Sequence, residues 1–275
     1  MNPIAFSKLS GTGNDFIIVD NRSGALPEEA MPGFVRRVCR RAVSVGADGV
    51  IFIRHHSELD FAWNFFNSDG GETEMCGNGA RCAARFAFEK GIAKNSMSFM
   101  TKAGRINANI SGEGIVKVLL TKAYGYRKFE LRAPDRMIGG FFLNTGVPHA
   151  VVICKDVKAV NVSELGAFIR HAKQFAPEGV NANFVEKVNE HELLIRTFER
   201  GVEDETLACG TGCVAAALCL AENGVALAPV ALTVRSREKL TVDFPQNSPL
   251  AGDAWLEGAV HWIYDGVLKD EAIKD

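Results

Sequence analysis

Two cysteines in this chain occupy the same place in the same short phrase. Glu72 to Ala84 reads ETEMCGNGARCAA and Glu205 to Ala216 reads ETLACGTGCVAA, so Glu-Thr-x-x-Cys-Gly-x-Gly occurs twice. In each, the glycines lead into an apolar, alanine-rich run that reads as the start of a helix. The first turn of a helix carries N–H groups without intrahelical partners and a partial positive charge. Glycine lets that backbone approach a ligand closely. A carboxylate fits such a place, and the same field favours thiolate over thiol. Each phrase therefore offers an anion cradle, at the amides of Gly77, Asn78, Gly210 and Thr211, beside an activated sulfur at Cys76 or Cys209. The ordinary fate of a free cysteine is core packing, which is the reading for Cys39, Cys82, Cys154, Cys213 and Cys219. The doubled glycine setting separates Cys76 and Cys209 from these.

Several uses of such a pair can be compared. Zinc sites pair ligands as Cys-x₂₋₄-Cys with further Cys or His close by; Cys76 and Cys82 have five residues between them and Cys209 and Cys213 three, and no His follows at ligand spacing, so no metal is expected. There is no Cys-x-x-Cys redox motif. A hydrolase nucleophile needs a histidine base; His149 is available, but the second phrase would then be idle. Two thiols on opposite faces of one tetrahedral carbon, one ionised and one protonated, can remove a proton from one side and return one to the other. That is inversion α to a carboxylate, and it needs no organic cofactor. GTGND near the start lacks the third glycine of a dinucleotide loop. A thiol redox sensor, in which the two sulfurs close a disulfide on oxidation, is the alternative from another class.

Whatever the chemistry, both sulfurs must be placed by similar elements. Cys76 and Cys209 lie 133 residues apart, and the same offset relates Gly13 to Gly146, Gly46 to Gly179, Phe65 to Phe198 and Gly91 to Gly224. The chain thus reads as a duplication. Short β-rich runs such as GVIFI, DFAWNFF, NFVEKV and ELLIRTF alternate with four helical stretches, expected at Phe34 to Ala42, Gly79 to Glu89, Val162 to Phe175 and Gly212 to Glu222. The last two-thirds of each cysteine helix is apolar on nearly every position, as in helices wrapped by sheet. The expected fold is α+β: two pseudo-symmetric halves, each a curved, mostly antiparallel sheet around a central helix. The halves are expected at 1–122, joined by a returning strand at 263–275, and at 123–262.

Composition limits the partners. The 275 residues carry a net charge of −2 and are 47% hydrophobic and 23% charged. That balance gives no electrostatic footprint for nucleic acid. No apolar run approaches a membrane span, and the start has no secretory pattern. Seven cysteines at irregular spacing fit reduced thiols in a cytoplasm.

Polar residues cluster at corresponding places. Asn67 stands nine residues before Cys76 and Arg200 nine before Cys209, each at the end of a matched strand. Arg200 suits bidentate binding of a second carboxylate, and Glu199 beside it suits an ammonium or tuning of a thiol. Asn14 in GTGND, Asn181 in GVNANF and His149 in TGVPHAV complete the set.

Together, GTGNDF, FNSDG-x-E-x-x-x-CGNGARC, TG-x-PH, VNANF and ERG-x-x-x-E-T-x-ACGTG resemble, in order, the motifs of the diaminopimelate epimerases. The resemblance spans the chain. It implies a cofactor-independent epimerase of two pseudo-symmetric halves, acting on a small amino-acid substrate in lysine and peptidoglycan synthesis, in the cytoplasm and as a homodimer. By position, Cys76 and Cys209 are then the acid/base thiols. Asn14, Asn67, Asn181 and Arg200 hold substrate, and His149 and Glu199 modulate the thiols. Two positions depart from the family pattern: Val147 stands where many members have Asn, and Gly49 where many have Gln. A lost amide weakens the grip on a polar substrate end unless a neighbour such as Asn144 compensates. A racemase of another amino acid, such as histidine, is the nearest alternative within the fold.

Overall fold

A computed structural model describes residues 3–134 and 136–274. The elements run β1 (Ala5–Gly11), β2 (Asn14–Asp20), α1 (Met31–Val38), β3 (Gly49–Arg54), β4 (Phe61–Asn67), α2 (Gly77–Glu89), β5 (Ser96–Thr101), β6 (Gly104–Gly112) and β7 (Ile115–Leu119). They continue with β8 (Tyr124–Arg132), β9 (Met137–Asn144), β10 (Pro148–Ile153), α3 (Val162–Arg170), β11 (Asn181–Lys187), β12 (Glu192–Glu199), β13 (Asp204–Thr206), α4 (Gly210–Glu222), β14 (Val230–Thr233), β15 (Lys239–Asp243), β16 (Trp255–Ala259) and β17 (His261–Val267). The chain divides into two compact units, the first running to Val118 and resuming at Gly258, the second Leu119–Glu257.

The first unit is ordered by strand pairing. β1 lies antiparallel to both β17 and β2. β2 then runs parallel to β3, β3 antiparallel to β4, β4 parallel to β5 and β5 antiparallel to β6. β2 and β3 are buried on both faces, so their sequences FIIV and VIFI are continuously apolar. The pleat sends alternate residues to opposite sides. Ile17, Val19, Val50 and Phe52 join a core with Phe34, Val35 and Val38 of α1. Phe16 and Ile51 point the other way and reach Gly79 of α2.

The second unit repeats this order. β10 runs parallel to β11, β11 antiparallel to β12, β12 parallel to β14 and β14 antiparallel to β15. α4 lies between β12 and β14, as α2 lies between β4 and β5. Ala150, Val152, Ala182 and Phe184 pack on α3 through Val162 and Ile169. The opposite face of β10 and β11 meets α4, whose residues Gly212 to Ala221 are all buried. Three glycine pairs at the expected offset adopt left-handed φ in both units: Gly13 and Gly146 at 83° and 103°, Gly46 and Gly179 at 72° and 67°, Gly91 and Gly224 at 66° and 67°. The duplication is therefore present in the backbone as well as in the letters.

Five helix ends differ from expectation, the first being the start of α1 at Met31 rather than Phe34. α1 stops at Val38 rather than Ala42, because Ala42 takes φ +64°, which no helix continues through. The expected helix to Phe175 breaks after Arg170; Ala172 is extended and Lys173–Phe175 forms a separate single turn. α2 and α4 begin two residues earlier than expected, at Gly77 and Gly210, since each cysteine is itself the residue that caps the helix.

Candidate active site

In the first unit, Cys76 has the extended backbone of an N-cap, φ −144° and ψ 119°, and its sulfur accepts from the Gly79 N–H at 3.4 Å. Asn14, at the start of β2, places its Oδ1 3.6 Å from Cys76 Sγ and 3.5 Å from Asn78 Nδ2. That orientation is set from behind. Asp48 Oδ2, which only accepts, takes the Asn14 amide N–H at 2.7 Å and the Asp15 backbone N–H at 3.1 Å. Arg41 bridges Asp15 at 2.6 Å and Asp48 at 2.9 Å, and Lys8 reaches Asp15 at 2.7 Å. Burial works against the Asp15 charge, but hydrogen bonds from Arg41 and Lys8 hold its carboxyl down at about 2. Arg81, fully buried on α2, donates to Thr12 Oγ1 at 2.5 Å and Asn78 Oδ1 at 3.0 Å, tying the GTGN turn to the helix start. Asn67 is exposed at the end of β4, its backbone N–H bonded to the Gly71 carbonyl in the turn that follows.

In the second unit, Cys209 caps α4 and is 6% exposed. Its sulfur lies 3.6 Å from Thr211 Oγ1. His149, on β10 and fully buried, places Nε2 3.0 Å from the same hydroxyl, and its Nδ1 lies 3.1 Å from Asn183 Nδ2. Thr145 donates to the Thr211 carbonyl at 3.0 Å. Asn181 is buried at the start of β11 and its Oδ1 receives the Arg200 backbone N–H at 2.7 Å. The Arg200 guanidinium touches the Glu178 carbonyl at 3.4 Å. Val147 sits in a turn where Asn144 Oδ1 accepts from Gly146 N–H at 2.9 Å, so Asn144 is fixed beside it.

The electrostatics correct one expectation. Burial pushes the Cys209 thiol well above its ordinary range, and the charge of Glu199 adds to the effect; the Thr211 hydroxyl and the Gly212 N–H work the other way. Burial outweighs these two hydrogen bonds, which favours the thiol form at Cys209. Burial also raises the Glu199 carboxyl. His149 is lowered to about 3, by burial first and by the charge of Arg200 second, and is therefore a neutral imidazole.

The structure thus gathers Asn14, Cys76 and Asn78 around the start of α2, and His149, Thr211 and Cys209 around the start of α4, with Glu199 near enough to act on Cys209 by charge. His149 meets Cys209 through Thr211 rather than directly. Cys39, Cys82, Cys213 and Cys219 are buried and Cys154 half-buried. Two residues that carry the site were not singled out from the sequence, Asp48 and Asn183. The signal for Asn183 was present in Asn-Ala-Asn-Phe-Val. Residues 181 and 183 share one face of a buried strand, and a buried polar side chain there requires partners. Among the described residues, no three His, Cys, Asp or Glu side chains gather as a metal ion would need, and no helix is long and apolar enough to cross a membrane.

Comparison with known proteins places this arrangement. The family model described as diaminopimelate epimerase matches residues 6–125 and 141–246. The diaminopimelate epimerase of Aquifex aeolicus is 44% identical over 279 residues, covering 98% of this chain and 99% of that protein. That of a Hydrogenobaculum species is 41% identical, covering 96% and 98%. More distant solved structures share the fold. A PhzF-family phenazine biosynthesis protein from Bacillus anthracis superposes with a TM-score of 0.72 at 16% identity, covering 98% of this chain and 100% of that one. A hydroxyproline epimerase from Agrobacterium vitis gives 0.72 at 13% identity, covering 97% and 92%. With two cysteine-capped helices in duplicated units, and with relatives aligned from end to end, the chain belongs to the diaminopimelate epimerase family.

Proposed function

We propose that this protein interconverts L,L- and meso-diaminopimelate without a cofactor, with Cys76 and Cys209 as the acid–base pair at one α-carbon. The observation that carries this is the doubled cysteine N-cap within a chain of this family. In the proposed step, one sulfur as thiolate takes the α-proton and becomes a thiol. The electron pair passes into the substrate carboxylate, whose oxygens accept from the amides of Gly77, Asn78, Gly210 and Thr211. The other sulfur gives its proton to the opposite face and becomes a thiolate. One proton leaves, one arrives, and only configuration changes. Burial and the Glu199 charge favour the thiol form of Cys209, and the two sulfurs exchange roles when the reaction runs in reverse. Asn14, Asn67, Asn181 and Arg200 are assigned to the substrate, Arg200 to the carboxylate of the non-reacting end. Cytoplasmic location, a homodimer and a place in lysine and peptidoglycan synthesis belong to the same reading.

Incubation with L,L-diaminopimelate in heavy water tests it. Deuterium must enter one α-carbon as meso product accumulates, under reducing conditions and with no added cofactor. Exchange with another amino acid but not with diaminopimelate reassigns the substrate. No exchange with any amino acid removes the epimerase reading.

A further inference from the structure

The two cysteine-capped helices are alike in backbone but not in what lies against them. In the first unit, the space beside Gly79 is filled by Ile51 Cδ1 and Phe16 Cζ. In the second unit, Asn183 Oδ1 presses against Gly212, 2.3 Å from where a Cβ would stand, and His149 occupies the position 133 residues after Phe16. Where apolar side chains pack on the first turn of α2, polar ones pack on the first turn of α4.

The direction of the hydrogen bonds among these polar groups can be worked out. Asn183 Nδ2 lies 3.0 Å from the Ala150 carbonyl and 3.3 Å from the Asn181 carbonyl. Carbonyls only accept, so this end of the amide is the NH₂ group. Asn183 Oδ1 accepts from Thr197 Oγ1 at 3.0 Å, which fixes the other end. The same NH₂ faces His149 Nδ1 at 3.1 Å; its two hydrogens are shared among three acceptors, and a proton on Nδ1 would point at a group that only donates, so Nδ1 carries none. In the neutral ring the proton is then on Nε2, which donates to Thr211 Oγ1 at 3.0 Å. The Thr211 hydroxyl has received one hydrogen bond, and its own proton is left to point at Cys209 Sγ, 3.6 Å away.

We propose that Asn183 is a positioning residue for Cys209: it fixes His149 as the Nε2–H tautomer, so that Thr211 donates to the sulfur and supports the thiolate each time Cys209 gives up its proton. His149 in this chain is a hydrogen-bond donor, not a base. The relay offsets the burial, and the charges of Glu199 on β12 and Cys213 in the next turn of α4, that oppose ionisation. In the first unit the positions of His149 and Asn183 against the helix are taken by Phe16 and Ile51, and the side chain described at the Cys76 sulfur is Asn14. The role as a proton donor rests on the epimerase reading; the relay itself does not.

Two measurements use no substrate. Nitrogen NMR of the labelled wild-type protein at neutral pH should show His149 with Nδ1 bare and Nε2 protonated; an Nδ1–H tautomer or an imidazolium overturns the proposal. Second, in a Cys76→Ala background, alkylation of Cys209 is followed against pH by mass spectrometry. Asn183→Ala should move its midpoint upward, with alkylation below the midpoint about tenfold slower for each pKa unit moved. Thr211→Val should do the same, and the double variant should add little to either. Shifts that sum, or slowing without a shift in midpoint, overturn the relay. If these results hold while diaminopimelate is not turned over, the relay stands and the substrate assignment fails.

Discussion

At the scale of single residues, Cys76 and Cys209 have separable roles. Replacing either by Ala should lower epimerisation by about 10²–10⁴-fold or more, measured as meso product formed from the L,L isomer; a variant keeping near-full rate has lost no catalytic group. His149 makes a second prediction. Its folded-state pKa is about 3 against an ordinary 6.5, so the unfolded chain takes the proton first. The stability gained from a neutral His149 is intact above pH 6.5 and drains as pH falls toward 3, at up to about 1.4 kcal/mol per pH unit. Asp15, lowered from 3.8 to about 2, adds its own loss only further down, between those values. Between pH 6 and pH 4.5 the raised Glu199 carboxyl works in the opposite sense, since the native state takes its proton first, so the histidine is read as a difference in urea midpoints: wild type should lose more stability over this window than His149→Gln. Equal slopes would remove His149 from the acid response. The cysteines could be read from their surroundings in the sequence because glycine and helix onset are local. The pKa of Cys209 could not, because burial and the charge of Glu199 arise from chain segments brought together only by folding.

At the scale of elements, glycines report where helices lie close to their sheets. A Cβ at Gly166 of α3 would stand 2.3 Å from Phe198 Cβ, whereas one at Gly33 of α1 meets only the end of Arg37 at 3.5 Å. Gly166→Ala should cost about 1–3 kcal/mol through overpacking. Gly33→Ala, in the first turn of α1, should stabilise by up to roughly 0.5–1 kcal/mol. Thermal melts of the two variants should move in opposite directions; a shift of the same sign in both contradicts the packing described. Strand content was legible wherever runs were apolar and β-branched, as in GVIFI and NFVEKV. Helix ends were less so. The stretch from Cys39 to Ala42 has no proline or glycine, and only the left-handed turn at Ala42, fixed by its place in the fold, shows that α1 has already ended.

At the scale of the molecule, the duplication was legible because its landmarks are glycines with left-handed backbones, which tolerate little substitution. The inequality of the two halves was hidden: Phe16 and His149 correspond in position, and nothing in either letter says that one packs and the other relays. The first unit also depends on a strand far away in sequence. β17 pairs with β1 from Ala5↔Val267 to Ser10↔His261, Phe6 meets Tyr264 edge-on and Phe86 stacks on Trp262. A chain ending at Val260 should lose hydrogen-exchange protection in β1, while the amides of β11 and α4 in the second unit keep theirs. Uniform loss through both units would mean that they are not separately compact.

The bond from Leu268 N–H to the Ile4 carbonyl joins residues at opposite ends of the sequence. On the ribosome, the second unit has every one of its strands in hand before β17 emerges. The first, although it begins to emerge earlier, stays an incomplete sheet until β17 has followed. Birth order and completion order are thus reversed in this protein, and the half carrying Cys76 is the one that waits.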